Sequence, residues 1–135
     1  KTTCNGLIAL ENDHINWEIA GFIWVQGEHE AGISPSMASD YGMLLQRFIG
    51  AVREDFSCSG LPVLIAGLNS HSWSFADPVR QGQKALCDND SHAVLVDTTD
   101  IPRYGSGGAA HFDATGMLTL GERFADHFVR TTTSK

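Results

Sequence analysis

The sequence predicts an α/β domain in which a short parallel sheet is packed between helices. Three short runs have apolar residues at successive positions, which is typical of strands covered on both faces. Amphipathic segments of helical period separate these runs, as the crossovers of a parallel sheet require. The chain has 135 residues, the size of one domain, so we expect residues 1–135 to form a single layered unit.

The predicted strands are residues 19–25, 62–68 and 93–96, with the sequences IAGFIWV, PVLIAGL and AVLV. The predicted helices are residues 3–12, 41–56, about 77–86 and about 115–130. Ser39 or Asp40 precedes the second helix as a candidate N-cap. Asp77 followed by Pro78 opens the third helix, and Asp113 precedes the last. Helices therefore alternate with strands, which favours a parallel sheet with right-handed crossovers.

Polar residues follow all three predicted strands. In an open α/β sheet, ligands bind where the carboxyl ends of the strands meet the loops. We therefore expect these residues to converge at one edge of the sheet. They are Gln26 and Glu28 after the first strand, Asn69, Ser70 and His71 after the second, and Asp97 and Asp100 after the third.

The composition excludes two classes of partner. The net charge is −7, whereas nucleic acid and anionic membrane surfaces need clustered Lys and Arg. No apolar run approaches the roughly 20 residues of a membrane span, and residues 1–7 lack the apolar core of a signal peptide. We expect a soluble chain that binds no nucleic acid and no membrane, and its localisation stays open.

The three cysteines and six histidines show no metal-site spacing. Cys4, Cys58 and Cys87 form no CxxC pair, and the histidines form no HExxH motif. We interpret the cysteines as buried or incidental thiols, and a disulfide between Cys58 and Cys87 stays open for an oxidising compartment. No metal and no cofactor are expected.

Six stretches occur together in a specific order: GFIWVQGEHEA at 21–31, the helix at 41–53, PVLIAGL at 62–68, Arg80 with Gln83, VDTTD at 96–100, and HFDATGMLTLGERFA at 111–125. In this order they resemble the SGNH hydrolase superfamily, in its sialate O-acetylesterase and acetyl xylan esterase branch. The resemblance covers nearly the whole chain. It implies a three-layer, flavodoxin-like fold, here with about three strands, and hydrolysis of an acetyl ester on a sugar or of another small ester.

The resemblance also implies roles for individual residues. Gln26 matches the side chain that helps to form the oxyanion hole, and His111 matches the general base. Glu28 matches a carboxylate at the mouth of the site. Gly108 occupies the position, three residues before the histidine, where the family commonly has Asp. Glu28, Asp97 or Asp100 is therefore needed to orient His111.

The source of the nucleophile is left open by this resemblance. The family's serine follows its first strand, in a segment that the chain as given does not match, so we expect the first two strands of the usual fold to be absent. The hydroxyl then comes from another chain or from Ser70, which follows the second predicted strand. Asn69, His71 and Trp73 are the candidate substrate-binding residues, with Trp73 as a surface on which a sugar could stack.

Two functions follow from this reading of the sequence. The first is a carbohydrate O-acetylesterase, with catalysis depending on the missing nucleophile. The alternative is a non-catalytic glycan-binding or assembly module derived from such an esterase. The sequence does not decide whether the chain is an enzyme.

The strand at residues 21–25 is expected to lie at an edge of the sheet. In the family's strand order, the absent first strand lies beside it. Its apolar side chains and unpaired backbone groups would then be exposed. The sequence therefore predicts a homodimer or a complementing chain that covers residues 21–25, unless the chain is a fragment of a longer protein.

Overall fold

The structure is a computed structural model that describes residues 2–69, 73–105 and 111–133. The described elements are, in order, α1 (Thr2–Asn12), β1 (Phe22–Trp24), α2 (Glu28–Ile33), α3 (Pro35–Asp55), β2 (Val63–Ala66), α4 (Ala76–Asn89), β3 (Ala93–Val96) and α5 (Ala114–Thr133). The predicted α/β fold class is confirmed. The strands at 19–25 and 62–68 are shorter than predicted, and β3 has the predicted bounds.

The three strands form one parallel sheet in the order β1-β2-β3. Phe22 pairs with Val63, and Val63 pairs in turn with Ala93. All four residues of the central strand β2 are buried, which explains its continuous apolar run. Because the strands are parallel and in register, their carboxyl ends lie at the same edge of the sheet.

The two faces of β2 pack against different helices, which gives three layers. Val63 and Ile65 lie in a cluster with side chains of α2, α3 and α4. Leu64 and Ala66 lie in a second cluster with side chains of α5, among them Phe124. The alternation of side chains along a strand therefore divides the core into two apolar layers.

Helices α3 and α4 approach each other closely at two glycines. A Cβ added to Gly42 would lie 2.8 Å from the Cα of Gly82, and one added to Gly82 would lie 2.7 Å from the Cα of Gly42. No side chain larger than hydrogen fits between the two backbones. This contact fixes where α4 crosses α3, and so fixes the position of the side chains that α4 points at the sheet.

Helix α3 begins earlier than predicted, and a further short helix precedes it. Helix α3 begins at Pro35, and the Ser34 side chain caps it by accepting from the Met37 amide at 3.2 Å. Ser39, one of the two predicted caps, instead donates to the Pro35 carbonyl at 2.8 Å inside the helix. Helix α2 was not predicted, and it takes up Glu28 at its first position.

Helix α4 begins before the predicted cap, whereas the predicted cap of α5 is confirmed. Phe75 precedes α4 without a side-chain cap, so Asp77 lies within the first turn. The carboxylate of Asp77 pairs with Arg80 at 3.1 Å instead of capping. Asp113 does cap α5, because its Oδ1 accepts from the Gly116 amide at 2.7 Å.

Strand β1 lies at one edge of the described sheet and exposes apolar side chains. Ile23 is 52% exposed and Val25, just beyond the strand, is 43% exposed. Pairing of residues 21–25 with a second copy or a complementing chain stays a prediction. Cys58 and Cys87 are free thiols, so the disulfide left open by the sequence is not formed. No helix in the described ranges has the length and apolar character needed to cross a bilayer.

Candidate functional site

The carboxyl ends of β1 and β2 border a narrow recess. Its free volume is about 10 Å³, room for about one water-sized group. The polar and aromatic side chains that line it come from five places along the chain: Gln26 with Glu28, Asn69, Trp73, Arg103 and Phe112. The convergence of polar residues expected from the parallel sheet therefore occurs for part of the predicted set.

Gln26 is held at both its backbone and its side chain. Its carbonyl accepts from the Tyr41 hydroxyl at 2.9 Å and from Gln83 Nε2 at 3.2 Å. Its own Nε2 donates to Glu30 Oε2 at 2.5 Å. A carboxylate only accepts, so Glu30 fixes which end of the Gln26 amide is the NH₂ group. One of the two N–H bonds of that group is donated to Glu30, and no described residue accepts from the other.

The backbone between Gln26 and Glu28 requires glycine. Gly27 has a φ of 139°, a region that side chains with a Cβ rarely adopt. A Cβ at this position would also lie 2.9 Å from Val79 Cγ1 on α4. The turn at Gly27 sends the chain directly from β1 into α2, which places Glu28 at the start of that helix and beside the recess.

Gln83 joins the ends of the two strands. This residue of α4 is fully buried. Its Oε1 accepts from the Leu68 amide at 2.9 Å, and its Nε2 donates to the carbonyls of Gln26 and Ala66. The sequence indicates Gln83 only through its resemblance to the esterase family. Its position on the buried side of α4, between Val79 and Leu86, is the signal that marks it as a buried polar residue.

Asn69 ties the segment after β3 to the end of β2. It is buried, and its Nδ2 donates to the Ile101 carbonyl at 3.2 Å. On the other side of the same turn, Arg80 Nε donates to the Leu68 carbonyl at 2.9 Å. The two contacts hold residues 68–69 from opposite sides, so the recess has a fixed wall at this point.

A short antiparallel bridge brings His111 to this edge of the sheet. Arg103 pairs with Phe112, and the Tyr104 amide donates to the His111 carbonyl at 3.0 Å. Phe112 and Arg103 line the recess, and the His111 side chain is exposed. His111 is therefore the direct neighbour of a residue that shares the recess with Gln26, although 85 positions separate the two in the sequence.

Only one of the three candidate orienting carboxylates lies at the recess. Glu28 lines it. Asp100 is instead engaged by Arg123 through two contacts of 2.7 Å, and the hydrogen bond from Arg123 lowers the pKa of Asp100. Asp97 accepts from the Thr99 amide at 3.0 Å, which lowers the pKa of Asp97. Glu28 is thus the candidate that the geometry favours.

The remaining predicted site residues differ in what the structure describes. Trp73 is half-buried, lines the recess and packs against the cluster on the α2, α3 and α4 side of the sheet. Ser70, His71 and Gly108 lie outside the described residues. In the described ranges, no group of three or more His, Cys, Asp or Glu side chains is arranged to hold a metal ion.

The chain is similar to a family of enzymes and to a solved plant structure. A family described as carbohydrate esterase, sialic acid-specific acetylesterase, matches residues 5–130. The X-ray structure of a protein from Arabidopsis thaliana matches with a TM-score of 0.75 and 26% sequence identity, over 84% of this chain and 45% of that chain. The match therefore spans less than half the length of the plant chain. No curated protein matches it.

Proposed function

We propose that the chain carries the base and an oxyanion donor for hydrolysis of O-acetyl esters on sugars, because it belongs to the sialic acid-specific acetylesterase family of carbohydrate esterases. The observation that carries the proposal is the recess at the carboxyl ends of β1 and β2. Gln26 and Glu28 line it, and the bridge between Arg103 and Phe112 holds His111 beside it.

Gln26 is the proposed oxyanion donor. Gln26 lines the recess and donates one N–H of its Nε2 to Glu30, and the second N–H of that nitrogen is the proposed donor. A donor oriented before the reaction stabilises the negative charge that develops on the acetyl oxygen, without a cost for reorientation. Removing one such donor lowers kcat about 100- to 1000-fold in comparable sites.

His111 is the proposed general base. A serine hydroxyl gives its proton to the imidazole as its oxygen attacks the acetyl carbon. The imidazolium then returns the proton to the sugar oxygen as the ester C–O bond breaks, which leaves an acetyl-serine. Water attacks this second ester with His111 again taking the proton, and acetate leaves as the serine hydroxyl is restored.

Glu28 is the proposed carboxylate partner of His111. It lines the recess, whereas Asp97 and Asp100 are engaged by Thr99 and Arg123. A carboxylate beside an imidazole holds it in one orientation and stabilises the positive charge that it gains. The nucleophilic serine lies outside the described residues and is either Ser70 or a serine of another chain.

The test is a set of single variants assayed with 4-nitrophenyl acetate and with O-acetylated N-acetylneuraminic acid. We expect H111A to abolish turnover and Q26A to lower kcat with a small effect on KM. The matched control is H29A, because His29 is an exposed histidine of the same chain. Loss of activity in S70A identifies Ser70 as the nucleophile, and retained activity in S70A together with loss in H111A assigns the serine to another chain.

Two results would overturn the esterase proposal. One is turnover in H111A equal to that of the H29A control. The other is no turnover by the unmodified chain at any concentration of enzyme. In the second case, binding of acetylated sugars measured by calorimetry would support the alternative, a glycan-binding module without catalysis.

A further inference from the structure

A second pocket, here called the aromatic pocket, lies between the edge strand β1 and helix α3. Its free volume is about 140 Å³, room for a group of several heavy atoms. Leu44 and Phe48 on its rim are exposed, so the pocket is open to solvent. Among the described residues, it shares Gln26 alone with the recess. The described side chains that line it are Trp24, Gln26, Glu30, Tyr41, Leu44, Leu45 and Phe48.

Aromatic rings form much of the wall of this pocket. The ring centroids of Trp24 and Phe48 lie 4.7 Å apart. Trp24 Nε1 donates to the Tyr41 hydroxyl at 3.3 Å, and that hydroxyl donates to the Gln26 carbonyl at 2.9 Å. The polar hydrogens of Trp24 and Tyr41 are therefore engaged within the protein, and the rings offer a ligand their π-systems and apolar surface.

Glu30 gives the aromatic pocket a negative charge. Its Oε2 accepts from Gln26 Nε2, and no Lys, Arg or His in the described ranges lies within ion-pair distance of it. An amide carries no charge, so this hydrogen bond leaves the negative charge of Glu30 uncompensated. Glu30 is only partly buried, and a ligand that enters the pocket can therefore reach it.

We infer that the aromatic pocket binds a small alkylammonium ion, such as a trimethylammonium group. Aromatic rings attract such a cation within roughly 6 Å of the ring centroid, and its charge is complementary to that of Glu30. Its methyl groups suit the apolar side chains of Leu44 and Leu45. A neutral ligand would leave Glu30 uncompensated, and an anion would be repelled by it. The inference does not depend on the proposed esterase activity, because the recess is a separate site.

The experiment compares choline with 3,3-dimethylbutan-1-ol, an alcohol of the same shape without the charge. Binding to the full chain is followed by nuclear magnetic resonance of the indole N–H signals, because the three tryptophans line three different pockets. The variant W24F assigns the Trp24 signal. We expect choline to shift this signal and to leave those of Trp17 and Trp73 in place. We expect the alcohol to bind at least about 5-fold more weakly than choline.

Two variants separate the charge from the rings. E30Q should lower the preference for choline over the alcohol about 5- to 10-fold, because glutamine keeps an acceptor for Gln26 and loses the charge. F48L should weaken choline binding about 3- to 10-fold, since leucine is apolar but has no π-system. The matched control is D40N, which removes an exposed carboxylate of α3 outside the pocket and should leave the preference unchanged.

Three results would overturn the inference. They are equal affinity for choline and the alcohol, equal preference in E30Q and D40N, and a choline-induced shift of the Trp17 or Trp73 signal in place of the Trp24 signal. Circular dichroism shows whether E30Q and F48L fold. The first and third results come from the unmodified chain, so they decide the matter even if a variant does not fold. Absence of esterase turnover together with binding of choline at Trp24 would reject the proposed function and support this inference.

Discussion

The side-chain amide of Gln83 lies 3.2 Å from the carbonyl oxygen of Gln26, although 57 positions separate the two residues in the sequence. The same side chain also binds the backbone at Ala66 and Leu68. One buried amide on α4 thus sets the distance between the ends of β1 and β2. The width of the candidate site depends on a residue that does not line it.

Replacing Gln83 with leucine should lower the free energy of unfolding by about 2–4 kcal/mol, because the buried backbone groups at Ala66 and Leu68 lose a hydrogen bond and the Gln26 carbonyl keeps only the one from Tyr41. Urea denaturation followed by circular dichroism measures the change. Q81L is the matched control, since Gln81 is an exposed residue of the same helix. Equal stability of Q83L and Q81L would contradict this account of the strand ends.

Replacing Gly42 with alanine should destabilise the protein by about 1–3 kcal/mol, because the new Cβ would meet the backbone of Gly82. Gly50 lies on the same helix with open space around it. G50A should therefore stabilise the protein by up to about 1 kcal/mol through helix propensity. Thermal melting of both variants checks the contrast, and a neutral G42A would show that the helices separate at little cost.

Acid should unfold the protein partly by protonating Asp90. Burial by itself would raise the pKa of this carboxyl, but the hydrogen bond from Arg53 and the amide of His92 outweigh burial and lower it. Because the pKa of Asp90 is lower in the folded state, ionised Asp90 contributes fully to stability above the unfolded-state pKa of roughly 4. This contribution is lost as pH falls through the folded-state pKa.

The variant D90N should therefore lose less stability than the unmodified protein between about pH 5 and pH 2, a window set by that unfolded value. D88N is the control, because Asp88 pairs with Lys84 at an exposed position. Urea denaturation at several pH values measures both. Parallel pH profiles for D90N and the unmodified protein would show that the pair between Arg53 and Asp90 contributes nothing to acid stability.

Alkaline titration should reveal the buried Tyr41. Burial raises the pKa of Tyr41, so ultraviolet absorbance should show a tyrosine titration above the ordinary value of about 10. Because the raised pKa belongs to the folded state, the stability from the Tyr41 hydroxyl is present below that value and is lost as pH rises through the folded one. Y41F should remove the absorbance change that occurs above the ordinary tyrosine pKa. If Y41F keeps this change, it does not come from Tyr41.

The sequence was sufficient to predict the layers of this fold. Strands β2 and β3 are continuous apolar runs, and such runs occur where both faces are covered. The start of α3 was missed although Ser34 followed by Pro35 is the same signal that was used for Asp77 and Pro78. Helix α2 was missed because six residues are too few for an apolar stripe to emerge.

The site was predictable only where it depends on strand ends. Gln26, Glu28 and Asn69 follow buried strands, so the topology alone brings them together. Arg103 gave no such signal, because its place depends on a bridge to Phe112 that local sequence patterns do not encode. The role of Asp100 depended on Arg123, a partner that only the packing of α5 reveals, and the Asp97 carboxylate accepts from the nearby Thr99 amide.

The exposed side of β1 has a practical consequence for anyone who produces the chain. Ile23 and Val25 are exposed at the edge of the described sheet, and an exposed apolar edge is the surface on which cross-β aggregates nucleate. Overexpression should therefore give inclusion bodies at high yield. Lower temperature should improve recovery, since the attraction between apolar surfaces weakens on cooling.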